Sequence, residues 1–144
     1  MLKHFDHMTV AVTDLAAARR FFALLDFEED KAVVISGPVM DQYMGVPGIE
    51  ADHVTLALKD ASPRCEIQLL HYRKPAATRD PSVGRLDKIG FNHICFAVSD
   101  IDGLIAKVTA AGVKLRNQPM VFHDRKLVFL EGPEGIVVEL AEWT

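Results

Sequence analysis

Cysteine is scarce in this chain: Cys65 and Cys95 are the two present among 144 residues. Two are too few for a disulfide framework, and the strand parity set out below directs them to opposite faces, so reduced thiols are expected. Basic runs are lacking as well. No stretch holds more than two consecutive Lys or Arg, and the formal net charge is −4, which argues against nucleic acid or an anionic membrane surface as partner. Apolar runs such as residues 94–98 fall far short of the ~20 residues of a membrane helix, and the amino terminus lacks the basic-then-apolar order of a signal peptide. The expectation is a cytoplasmic protein with neither a nucleic-acid nor a membrane partner.

What is present is ordinary in amount and unusual in arrangement. A hydrophobic share of 49% with 25% charged residues at this length fits one globular domain. Within it, Phe5-Asp6-His7-Met8-Thr9-Val10-Ala11-Val12-Thr13-Asp14 recurs as Phe91-Asn92-His93-Ile94-Cys95-Phe96-Ala97-Val98-Ser99-Asp100. Phe, His, Ala, Val and Asp are identical, and Asp/Asn, Met/Ile and Thr/Ser are conservative. With each residue type supplying roughly 5–8% of a chain, fewer than one identity is expected by chance. The chain is an internal duplication.

Residues 5–12 read as a strand ending at a turn, and Asp14 or Thr13 caps a helix whose Leu15, Ala18, Phe21, Phe22 and Leu25 form one buried face. Strand character returns at 31–36 and breaks at Gly37-Pro38. Residues 39–52 have no clean period and read as a loop that packs. Two strands, 53–58 and 64–72, complete a βαβββ module over 1–72. Residues 73–90 form a polar connection. The second module, 91–144, repeats the order: strand 91–98, a helix capped at Ser99 or Asp100 with Gly112 past its end, a strand near 113–115, another at 126–130, a turn at 132–135 and a last strand at 136–143. The expected fold is a single α+β domain, residues 1–144, of two tandem βαβββ modules.

Strand side chains alternate, so Phe5, His7, Thr9 and Ala11 face away from the bulkier Met8, Val10 and Val12, which should meet the helix. By the repeat, His93 lies on the same kind of face with Cys95 and Ala97. The last strands also correspond, Ile67-Gln68-Leu69 with Val138-Glu139-Leu140. Each places one polar residue inside an apolar run, and a carboxylate such as Glu139 in that setting calls for a partner or a cation. If the modules pack with pseudo-twofold symmetry, His7, Gln68, His93 and Glu139 make a mixed nitrogen and oxygen set suited to a divalent transition metal. Glu66 competes with Gln68, since it lies on the same strand face and carries the charge. Leu70, Tyr72, Ala141 and Trp143 continue these faces as candidate pocket walls or core. Cys95 reads as a small core thiol, His4, His71 and His123 as surface residues, and Arg125-Lys126 as either an anion anchor or a solvated basic turn.

Those residues resemble the vicinal oxygen chelate superfamily, which includes glyoxalase I, methylmalonyl-CoA epimerase, extradiol dioxygenases and the fosfomycin and bleomycin resistance proteins. The resemblance spans nearly the whole chain: Asp6-His7 and Asn92-His93 open the modules, Ile67-Gln68-Leu69-Leu70 closes the first, and Gly132-Pro133-Glu134-Gly135 leads into Val138-Glu139-Leu140. It implies a cupped mixed sheet with helices outside, and a divalent ion (Co, Ni, Mn, Zn or Fe) at His7, Gln68, His93 and Glu139. Substrate would chelate that ion through two adjacent oxygens. In layout the chain is most similar to methylmalonyl-CoA epimerase. Where those epimerases carry a Glu on the third strand, this chain reads His53-Val54-Thr55, so His53 or Thr55 stands at that place. The implied activity is a metal-dependent isomerase, epimerase or lyase acting through an enolate, with Glu139 as the base and His53 as a second catalytic group. An Fe(II) extradiol-type dioxygenase and a metal-free binding or resistance protein are the alternatives. A small-molecule substrate and a homodimer are expected.

Overall fold

A computed structural model describes all 144 residues, which divide into two compact units, Met1–Arg79 and Asp80–Thr144. In the first unit the order is β1 (His7–Ala11), α1 (Leu15–Leu24), β2 (Phe27–Ser36), α2 (Pro38–Met44), β3 (Glu50–Leu58) and β4 (Glu66–Lys74). The four strands form one mixed sheet in the order β1-β4-β3-β2, with β1 parallel to β4 and the other pairs antiparallel. Helix α1 starts where the Asp14 carboxylate accepts from the Ala17 N–H at 2.9 Å, one of the donors a helix start leaves unpaired. It turns Ala18, Phe21 and Phe22 inward. These pack with Leu25, Val10, Val54, Leu56, Ile67 and Leu69, all buried, on one face of the sheet. Phe22 is fully buried and meets Phe21 and Phe27 edge-on at 5.2 and 5.9 Å.

The segment read as a loop over 39–52 contains helix α2 and the start of β3. Seven residues are too few to show a helical period, but the helix carries end signals: Pro38 at its first position and Gly45, at φ 67°, as a left-handed cap. The Asp41 carboxylate then accepts from the Gly48 and Ile49 N–H groups at 3.0 and 2.9 Å, turning the chain into β3. The expectation that this segment packs holds. Met40, Met44 and Val46, together with Ile35 and Tyr72, pack against the buried Ile49, Ala51 and Leu70.

In the second unit the order is β5 (Ile94–Ala97), α3 (Ile101–Ala110), β6 (Met120–Phe122), β7 (Arg125–Glu131), a 3-10 turn (Pro133–Gly135) and β8 (Val137–Trp143). The sheet order, β5-β8-β7-β6, and the parallel β5–β8 pair repeat the first unit. Asp100 caps α3 through the Gly103 N–H at 2.9 Å, as Asp14 caps α1. Ile101 and Val108 of α3 are buried with Val128, Leu130, Val138 and Leu140. The strand expected near 113–115 is not there: Leu115 makes only an isolated bridge to Leu130, and the edge strand is Met120–Phe122. The cause is Asn117, whose side-chain oxygen accepts from the Phe129 N–H at 2.8 Å and occupies a place in the ladder that a backbone carbonyl would take. Pairing resumes beyond it, across the two-residue turn His123-Asp124, with His123 at φ 55°.

Candidate functional site

Directly paired residues share a face of a sheet. In the first unit His7 stands opposite Glu66, Thr9 opposite Gln68, and Gln68 opposite Thr55, so these residues share the face away from α1 with His53. A hydrogen-bonded chain crosses that face. The His53 Nε2 is 3.1 Å from the Gln68 Oε1, the Gln68 Nε2 donates to Glu66 at 3.0 Å, and the Arg64 Nε donates to Glu66 at 2.7 Å. Arg64 also reaches Asp30 at 2.8 Å. Arg64 first, and Gln68 second, hold the Glu66 carboxyl below its ordinary value. Glu66 is therefore committed to an arginine and an amide, whereas Gln68 keeps an oxygen whose only donor is His53. Further along the same face lie Leu70, Tyr72 and Ile35, under the apolar cover of α2.

In the second unit Cys95 pairs with Glu139, which pairs with Phe129 on its other side. His93, just before β5, has its Nε2 3.0 Å from the Glu139 Oε2 and its ring edge-on to Phe129 at 5.1 Å. The Glu139 side chain is only 14% exposed. Cys95 is an exposed residue, not the core thiol expected. Its pKa is pushed up to about 11, chiefly by desolvation of the sulfur and then by the Glu139 charge, so at neutral pH it is a protonated donor to Glu139.

Both histidines are oriented by the residue before them, which sequence reasoning did not single out. The Asp6 Oδ2 lies 2.6 Å from the His7 Nδ1, and the Asn92 Oδ1 lies 2.8 Å from the His93 Nδ1. Asn92 is itself fixed, because its Nδ2 donates to the Leu86 carbonyl at 2.7 Å. Each acceptor places the imidazole proton on Nδ1 and leaves Nε2 with a lone pair. The available signal was the Asp6/Asn92 correspondence itself, an acceptor kept immediately before each repeated histidine. His71, read as a bare surface residue, pairs with Asp52 at 3.0 Å, and Arg73 grips the same carboxylate at 2.7 Å.

No group of three or more His, Cys, Asp and Glu side chains is assembled to hold a metal ion. In the first unit His7 pairs with Asp6 while Gln68 pairs with His53 and Glu66, whereas in the second the expected pair, His93 and Glu139, comes together. That pair carries its own test of fit. With Nδ1 donating to Asn92, a neutral His93 points a lone pair at a carboxylate 3.0 Å away. Two acceptors so close repel unless a proton or a cation sits between them. The donor chemistry of His93 and Glu139 fits a divalent ion.

The profile described as Glyoxalase/Bleomycin resistance protein/Dioxygenase superfamily matches residues 4–140. The chain belongs to that superfamily. It is 26% identical over 145 aligned residues to the uncharacterized protein YaeR of Escherichia coli, covering 98% of this chain and 97% of that one. It is also 34% identical to glyoxalase I of Saccharomyces cerevisiae, over 55 residues that make up 38% of this chain but only 17% of the yeast enzyme. A glyoxalase family protein from Bacillus cereus has the same fold, with a TM-score of 0.89 at 22% identity over 99% of this chain and 95% of that one. Paired βαβββ modules, read from the repeat, are the superfamily fold.

Proposed function

We propose that the protein is a divalent-metal-dependent isomerase, epimerase or lyase acting on a small substrate with two adjacent chelating oxygens. It would act in the cytoplasm as a homodimer whose chain is a single domain. The observation that carries the reading is the His93–Glu139 pair, two acceptors held 3.0 Å apart by a histidine whose proton is pinned to the other nitrogen. His7 and Gln68 hold the equivalent places in the first unit's sheet and are proposed, with His93 and Glu139, as metal ligands. A bound divalent ion supplies Lewis-acid polarisation of the substrate oxygens and stabilises the charge left when an α-proton departs.

The side chains supply the remainder. Glu139, nearly buried and next to the protonated Cys95, accepts the α-proton of the substrate and returns it to the same or the neighbouring carbon. Asp6 and Asn92 keep Nε2 of each histidine available. His53 is proposed as the second catalytic group, and its Nε2 lies 3.1 Å from the Gln68 Oε1. Two free cysteines in separate units agree with a reducing compartment.

Two measurements test the reading. Elemental analysis of protein purified without chelator should find a stoichiometric divalent metal, lost in His93→Ala. In deuterium oxide, the native protein should exchange the α-proton of methylmalonyl-CoA or of a 2-oxoaldehyde hemithioacetal, and Glu139→Ala should not. A Glu139→Ala protein that bound metal and exchanged at the native rate would overturn the proposal.

A further inference from the structure

Along β7 and β8, the face that carries Glu139 continues through Leu127 and Ala141 to Arg125 and Trp143, which are directly paired. The Arg125 guanidinium lies over the Trp143 ring, 4.6 Å from its centre. Its Nε is shut away from solvent with no hydrogen-bond partner, and its nearest carboxylate oxygen, on Asp124, is 3.8 Å away. The other arginines of known contact are answered: Arg19 by Glu29, Arg64 by Glu66, Arg73 by Asp52, Arg85 by Asp87 and Arg116 by the Gly84 carbonyl. The neighbouring Lys126 points to the other face and is held by Asp102 at 2.6 Å. Of the basic pair noted in the sequence, only Arg125 is left on the Glu139 face.

An enclosed N–H without an acceptor is a desolvated donor left unanswered, and it calls for an explanation such as a ligand. Arg125 is also pre-positioned. Thr144 closes the end of the sheet with its N–H and hydroxyl both donating to the Asp124 carbonyl, at 2.8 and 3.0 Å. The Trp143 ring fixes the guanidinium plane and excludes water from one side, which strengthens any charge-assisted bond made on the other.

We propose that Arg125, backed by Trp143, is the anchor for an anionic oxygen group, carboxylate or phosphate, on the substrate of the Glu139 face. Four strand steps lead from Glu139 to Trp143, roughly 13 Å at ~3.3 Å each. The substrate class is therefore a small acid or phosphate ester whose chelating oxygens and anionic arm lie on the order of 10 Å apart, joined by an apolar stem over Leu127 and Ala141. This assignment rests on the reading of that face as the substrate face, while the Arg125 subsite itself requires no metal.

Trp143 is the sole tryptophan, so its fluorescence reports on the subsite. The full-length protein is titrated with inorganic phosphate and with acetate at constant ionic strength, with chloride as the reference, before and after chelator treatment. A saturable change with phosphate or acetate is expected in both preparations and in Glu139→Gln. In Arg125→Gln the midpoint should rise at least ~10-fold, the ratio that corresponds to ~1.4 kcal/mol, with Arg125→Lys between the two. Should Arg125→Gln fail to fold, the Arg125 Nε–H signal of the native protein in a nitrogen–proton spectrum replaces it, and that signal should move with phosphate and not with chloride. Equal midpoints in native protein and Arg125→Gln, no response beyond chloride, or an unmoved Nε–H would overturn the anchor. A response that disappears with chelator alone would also overturn it, because phosphate would then be binding metal. That last outcome would leave the metal reading standing.

Discussion

Asn92→Ala isolates the orienting hydrogen bond from the ligand it orients. The substitution removes two bonds, from the His93 Nδ1 at 2.8 Å and to the Leu86 carbonyl at 2.7 Å. At about 1 kcal/mol net for each bond in a partly buried setting, the fold should lose about 1–2 kcal/mol. The larger effect falls on metal affinity. Without an acceptor at Nδ1 the proton of a neutral imidazole redistributes between the two nitrogens, and the ring is free to turn. The lost bond alone corresponds to roughly fivefold, and loss of such outer partners generally costs 10–100-fold, so about tenfold is expected. Competition with a chromophoric chelator measures the affinity, and urea unfolding of the chelator-treated protein measures the fold. Asp6→Ala should cost less, since Asp6 is 73% exposed and water replaces it at His7. If Asn92→Ala bound metal within about twofold of native while His93→Ala abolished binding, the orienting role of Asn92 would be refuted.

Three further outcomes follow from the packing and the charges. Phe22→Ala, at a fully buried ring with two edge-on aromatic neighbours, should cost about 3–5 kcal/mol in urea unfolding; a loss within about 1 kcal/mol would mean that α1 is not seated as described. Arg73 first, and His71 second, hold the Asp52 carboxyl below its ordinary 3.8. A depressed folded value stabilises the fold above the unfolded pKa, and this is lost as pH falls through the folded value. Arg73→Gln should therefore lose less stability than native protein between about pH 5 and 2, and parallel stability curves would contradict the pairing. Cys95, with its thiol at about 11, should react slowly with iodoacetamide at pH 8 and faster in Glu139→Gln, where the neighbouring negative charge is gone; equal rates in the two proteins would remove Glu139 as a cause.

The repeat in the sequence made most of the architecture legible, because duplicated His7 and His93 fix strand parity twice and the same parity appears in both sheets. Elements without a counterpart in the other copy were the ones misread. Helix α2 exists only in the first unit and is shorter than the window in which a period can be counted. The second edge strand was displaced to 120–122 by a side chain, Asn117, standing in for backbone, which no hydrophobic pattern encodes. The candidate site divides in the same way. Which side chains share a face follows from alternation, but which atom of each points where follows from partners such as Asp6, Asn92, Arg64 and His53, set by distances of about 3 Å that register alone does not determine.

The two halves of the duplication also differ in charge, and that difference favours one chemistry. In the first unit the strand oxygen is an amide, and the neighbouring carboxylate, Glu66, is already answered by Arg64 at 2.7 Å. In the second it is Glu139, 3.0 Å from a histidine that cannot donate to it without gaining a proton. The proposed ligand set of two imidazoles, one amide and one carboxylate therefore carries a single negative charge against a divalent ion. A second carboxylate in place of Gln68 would cancel the remaining positive charge. The excess is what an electron-rich pair of substrate oxygens would meet as a proton leaves the adjacent carbon, and it favours stabilising a new anion over merely holding a neutral ligand. Gln68→Glu should consequently tighten metal binding while slowing proton exchange, a split read by chelator competition on one side and deuterium incorporation on the other. A variant faster in exchange than the native protein would show that residual charge is not what the amide preserves.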